Sequence, residues 1–179
     1  MPIKIRSLYE GHGFLPHFIM GALWRVTGNI HTVGLINIMG FTGFLAVCHR
    51  LLRAPFYVVA LIALTTPLVI IHSATSYIDL FCNSLLATGL CTLAFVYLYD
   101  KRESRVLFWV GVGGLVGAMW SKPQLGLMGA IGLVCYALVY RPWAAPAAVR
   151  TRRMFELAAV GVVAFGNNLK FKNMNQVEL

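Results

Sequence analysis

Long, continuous apolar runs constrain this chain more than any other feature. A bilayer core about 30 Å thick needs roughly 20 apolar residues in helical form to cross it. Six stretches come near that length: about residues 33–49, 55–72, 76–99, 106–120, 124–140 and 154–166. A transmembrane barrel would show short segments of alternating polarity, whereas these runs are apolar throughout. Composition agrees. Mean hydropathy is +0.74 and 12% of the residues are charged, against about 25% in ordinary globular domains. The chain therefore reads as all-α, a polytopic transmembrane helical bundle of about six spans. Ahead of them, LPHFIMGALWRVT (residues 15–27) is apolar but too short to span, and it carries Pro16, His17 and Arg25. It reads as one interfacial or re-entrant helix, with Trp24 at headgroup level.

The formal net charge is +9. In a soluble protein that would suggest nucleic acid. Here the basic residues lie mainly between apolar runs, so they report topology; the expected partner is membrane lipid, with no nucleic acid. Arg50 and Arg53 separate the first two spans. DKRESR (residues 100–105) follows the third with three basic residues, and RPWAAPAAVRTRR (residues 141–153) follows the fifth with four. The other connections, HSATSYID and WSKPQ, hold one basic residue between them, Lys122. By the positive-inside rule the basic loops are cytoplasmic and the other turns face the opposite side. The expected domain is then a single transmembrane unit over residues 1–166. It comprises an extracytoplasmic loop and interfacial helix (1–32) and the spans (33–166). Residues 167–179, with four asparagines between 167 and 175, read as an atypical tail of non-native origin. No apolar signal core occupies the first dozen residues. An extracytoplasmic start then fits a piece of a longer protein.

Cys48, Cys82, Cys91 and Cys135 sit in or at the ends of apolar runs, and no CxxC pair occurs. They read as small packing residues. Gly113 and Gly117 form a GxxxG pair, followed by Gly126, Gly129 and Gly132 at spacing three. Small residues let helices approach closely in lipid, so the fourth and fifth spans should form a tight hairpin through SKPQ.

Asp79 stands where a long apolar run begins. Ser76-x-x-Asp79 has capping-box spacing, and a carboxylate in the first turn suits the helix dipole. A second reading adds Ser76 and Asn83 on the same helical face, a polar stripe turned inward to bind a head group or metal ion. Lys122 is the one charge between Arg105 and Arg141. It reads either as a snorkelling cation at a helix C-terminus or as a phosphate-binding point charge on Asp79's side of the membrane. His12, His17, His31 and His72 fall on that side too, without HxxxH or HxH spacing; interfacial histidines fit better than a metal site. Glu10 is the sole acid of the N-terminal segment. It reads as a solvated loop residue or, alternatively, as a general base. No GxGxxG, Walker, HExxH or GxSxG motif is present.

GHGFLPHFIMGALWRVTG (residues 11–28) followed by HTVGLIN, Ser76-Tyr77-Ile78-Asp79 entering a span, and GVGGLVGAMWSKPQ (residues 111–124) come in a telling order. Over roughly residues 9–140 this order resembles the polytopic glycosyltransferases of the GT-C type, which use polyprenyl-phosphate sugars. Protein O-mannosyltransferases and aminoarabinose transferases are members. HGFLP replaces the family's HPP core, and the stretch that carries the family's catalytic acid is absent from this chain. The resemblance implies a partial integral-membrane transferase of a bacterial inner membrane, moving sugar from a polyprenyl-phosphate carrier to an extracytoplasmic acceptor. In that family an acid deprotonates the acceptor and the lipid phosphate leaves. Lys122 would stabilise that phosphate. Asp79, with Asn83 and Tyr77, would shape the cavity or help hold a divalent metal, and His17 and His12 would line the loop near the head group. Two other readings stay open: a small transporter with Asp79 and Lys122 in a permeation path, or a non-catalytic subunit of a membrane complex.

Overall fold

The computed structural model describes residues 14–65, 78–101 and 104–176. Among them all regular structure is helical. The α-helices are α1 (Phe14–Thr27), α2 (Leu35–Leu52), α3 (Phe56–Leu64), α4 (Asp79–Leu98), α5 (Arg105–Ser121), α6 (Gly126–Tyr140) and α7 (Ala147–Gln176). Short 3₁₀ turns at Ile30–Gly34, Pro123–Leu125 and Pro142–Ala144 join neighbours.

Three stretches are long and apolar enough to cross a membrane: Leu35–Leu52, Asp79–Leu98 and Gly126–Ala144. Arg105–Ser121 is apolar but shorter. The expectation of about six spans is thus met in part. The second expected span appears as the nine residues of α3, and its remainder lies mostly outside the described residues. The last helix starts seven residues before the expected Met154 and runs 30 residues, carrying its backbone through positions read as a separate tail. Its first turns hold Arg150, Arg152, Arg153 and Glu156, so only its middle is apolar.

α5 is the centre of the bundle, in contact with α1, α4, α6 and α7. Its burial follows from its glycines. A Cβ at Gly114 would lie 2.7 Å from the Leu85 carbonyl oxygen and 2.8 Å from the Gly89 nitrogen, so the backbones of α4 and α5 touch there. At Gly111 the space a side chain would need is taken by the Tyr136 ring and hydroxyl. Gly129 and Gly132 of α6 receive Met119 and Leu115 of α5, which builds the expected hairpin through SKPQ. The expected GxxxG pair is corrected: Gly113 is exposed and a Cβ there would meet nothing within 4 Å. The closest backbone approach joins the third and fourth expected spans, through Gly89 and Gly114. At about 100° per residue, Gly113 points a third of a turn away from Gly114.

The main core gathers Val96, Phe108, Leu115, Leu133 and Tyr136 with Val160 and Ala164 of α7. Phe108 meets Tyr140 edge-on at 5.0 Å between centroids, a favoured aromatic geometry. A smaller cluster of Ile36, Ile78, Phe81 and Cys82 is covered by Leu15, Ile19 and Met20 of α1. These α1 positions repeat at helical spacing and form its inner face, while Phe18, Trp24 and Val26 are exposed. The expected helix over 15–27 is therefore present and lies against the bundle.

Contacts also fix which connections share an end. Gly40 packs on Phe81 and Cys48 reaches Cys91, so α2 and α4 run parallel. Arg105 pairs with Glu156 and the Tyr140 hydroxyl donates to the Ser104 carbonyl at 3.2 Å. Arg53, Lys101, Arg105 and Arg141 therefore lie at one end of the bundle. Asp79 and Lys122 lie at the other.

Candidate functional site

Asp79 and Lys122, 43 positions apart, meet at the end opposite the arginines: the Lys122 ammonium donates to Asp79 Oδ1 at 2.5 Å. Each residue is where its helix places it. Asp79 is the first residue of α4, at the positive end of that helix dipole. Lys122 follows the last residue of α5, at the negative end. Because α4 and α5 are antiparallel, the two favourable positions coincide. Lys122 leaves the helix in extended conformation, its backbone N–H still donating to the Ala118 carbonyl at 3.1 Å. Pro123 then redirects the chain toward α6.

The capping-box reading of Ser76-x-x-Asp79 is corrected. A capping box needs its acid at the third helical position, whereas Asp79 occupies the first, behind Ile78. Ser76 itself lies outside the described residues. The N-terminus of α4 is satisfied from another helix instead: the Phe81 backbone N–H donates to Asn37 Oδ1 at 3.1 Å. Asn37 on α2 is fully buried and does what an N-cap side chain ordinarily does. Sequence reasoning passed over it. Its signal was a lone amide inside the apolar run LINIMG.

Beneath the ion pair the bundle is closed. Cys82 and Ser121 are both fully buried. The Cys82 thiol lies against the Ser121 hydroxyl, which donates to the Gly117 carbonyl at 2.6 Å. The Lys122 and Asp79 side chains keep 23% and 31% of their exposure. The pair therefore opens outward from the end of the bundle, with packed side chains blocking the way inward.

The remaining candidates divide. Asn83, expected to turn inward with Asp79, is exposed; that expectation is corrected. The positions of α4 that pack inward are Leu80, Phe81, Cys82 and Ser84, which leaves Asn83 on the opposite flank. His17 is half-buried on α1, the helix that covers this end. Glu10, His12 and Tyr77 lie outside the described residues, as does His72. Among the described residues no three His, Cys, Asp or Glu side chains converge as a metal site would require.

Chemically, the arrangement is one ammonium and one carboxylate at the rim of an apolar bundle. Lysine has three N–H donors. One goes to Asp79, which orients the ammonium and leaves donors for another anion. Comparison with protein-family models, curated proteins and solved structures finds no match for the chain.

Proposed function

We propose that the chain is a multi-pass bundle of a cell inner membrane, and that Lys122 and Asp79 form the carrier-phosphate subsite of a glycosyltransferase using polyprenyl-phosphate sugars. The membrane part rests on the surface. Large apolar side chains are exposed on several helices, Leu127, Ile131, Val134 and Leu138 of α6 among them, while Asn37, Ser84, Thr92 and Ser121 are buried. In water such a surface would aggregate. In lipid, apolar side chains outside and small polar ones between helices are the ordinary pattern.

The observation that carries the subsite is the outward-facing pair itself. A lipid phosphate brings its charge to headgroup level, where Lys122 stands partly exposed and pre-oriented by Asp79. A permeation path fits less well, because transporters place their charges near the midplane on broken helices and this pair caps the end of a packed bundle.

The test is binding of a polyprenyl phosphate to the purified chain in nanodiscs. Lys122→Ala should weaken it about tenfold or more, as loss of a hydrogen bond to a charged group predicts. An unchanged dissociation constant would remove Lys122 from the site and take the transferase reading with it.

A further inference from the structure

We propose that a groove between α6 and α7 holds an anionic phospholipid at the arginine-bearing end of the bundle, acyl chain along the groove and phosphate over Arg105 and Arg152. The groove is open along its outer side and holds about 430 Å³, a volume within the roughly 300–1,000 Å³ of typical ligand sites. Its walls are apolar, with Ile131 and Val134 on one side and Leu157, Val160 and Phe165 on the other. Gly161 keeps it wide, since a Cβ there would meet nothing within 4 Å. From Leu157 to Phe165 the α7 wall extends about 12 Å, a length suited to the upper part of an acyl chain.

Leu157 also lines a second, shallow notch of about 20 Å³, together with Arg105, Arg152, Arg153 and Glu156. The groove thus runs into a cationic end. Among the described residues that line the notch the acid is Glu156: Arg105 approaches it at 3.1 Å and Arg152 at 3.9 Å. Two guanidiniums share that one carboxylate, so the pairing leaves positive charge. Arg105 and Arg152 keep 62% and 58% of their side-chain exposure, so both can reach a phosphate above the notch. Planar guanidinium forks match phosphate oxygens, and basic pockets between helices on the cytoplasmic side suit anionic head groups. Exposed Trp143, on the turn leading into α7, adds an aromatic anchor at the same level. The charge complementarity at one end and the apolar wall along the rest select a lipid over a protein helix.

This inference concerns the opposite end from the carrier subsite and shares only its premise of a bilayer. The experiment incorporates the purified chain into nanodiscs of mixed phosphatidylcholine and phosphatidylglycerol and reads co-purified lipid by native mass spectrometry. Retained phosphatidylglycerol should exceed phosphatidylcholine by about tenfold, as one or two arginines near an anionic head group imply. Arg105→Gln with Arg152→Gln should abolish that preference, and Gly161→Leu should reduce retention of both lipids. Equal retention of the two lipids by the unaltered chain overturns the proposal, whatever the variants do. So does an equal rise in thermal midpoint with inorganic phosphate, which would make this a free-anion site. Cross-linking of a Val134→Cys variant to a second copy would assign the groove to a helix contact instead. Failure to enter any nanodisc would sink the membrane reading as well, whereas entry without lipid preference would sink this one alone.

Discussion

At one end of the bundle Asp79 and Lys122 neutralise each other across 2.5 Å; at the other, Arg105 and Arg152 share the single carboxylate of Glu156. The first end is organised by helix geometry. An N-terminus and a C-terminus lie side by side, each holding the charge its dipole favours. The second end is organised by net charge. Helices α2, α4 and α6 all terminate there, and each is followed by a non-glycine residue in the left-handed region: Arg53 (φ 53°), Asp100 (φ 49°) and Arg141 (φ 43°). Glycine is the usual occupant of such positions, and another residue costs about 1 kcal/mol or more there. Two of the three are arginine, so charge outweighs backbone ease at this end. On the proposed function, the arginine end would set the orientation of the bundle and the Asp79 end would receive the carrier phosphate.

The contrast depends on α4 and α5 staying in register along their length. Gly114→Leu attacks that directly, because the new side chain would meet the backbone at Leu85 and Gly89, which no rotamer change relieves. The expected loss is about 3 kcal/mol, read by denaturant titration in mixed micelles. Gly113→Leu, one residue away in open space, should leave stability nearly unchanged. Equal losses at both positions would show that the α4–α5 contact is misplaced. A smaller effect is expected from Asn37→Leu. It keeps side-chain bulk but leaves the Phe81 N–H without its acceptor at a buried helix start, costing about 1–2 kcal/mol. Hydrogen exchange should rise first at the N-terminal turn of α4. Exchange that rises instead around Glu156 would mean the two ends are not independently held.

These two variants also mark what the sequence could and could not convey. Apolar run length was enough to place α1, α2, α4, α5 and α6 within a few residues, because helix ends coincide with charge, Pro123 or Pro142. It was not enough for α7, where Arg150 to Glu156 interrupt hydropathy but not helicity. The meeting of Asp79 and Lys122 was half legible. Their common side followed from loop charges, whereas direct contact depends on the α4–α5 register that Gly89 and Gly114 set. GxxxG spacing pointed to Gly113, since spacing alone does not say which face of α5 turns inward. Asn37 was hidden for the same reason. A buried amide in a span has many possible partners, and its partner here is a backbone N–H 44 positions away.

The smallest expected effect sharpens the comparison most. Exchanging the pair, Asp79→Lys with Lys122→Asp, keeps an ion pair but sets each charge at the wrong helix end. A pair that remains partly exposed contributes about 0.2–1 kcal/mol, and the reversed dipole terms remove a similar amount. The exchanged chain should therefore fold, with stability lowered by roughly 1 kcal/mol or less. Each half of the exchange alone, Asp79→Lys or Lys122→Asp, sets two like charges side by side and should cost more than that. Carrier binding should separate the two roles. If Lys122 only closes a structural pair, the exchange restores whatever the single variants lose. If its ammonium receives a phosphate, the exchange restores stability but not affinity, because the cation has moved to α4 and a carboxylate stands where the phosphate would sit. Thermal midpoint and polyprenyl-phosphate affinity measured on the same four proteins (unaltered, two single variants and the exchange) distinguish these outcomes. Recovery of both quantities together would reduce the Asp79 end to a structural counterpart of the arginine end.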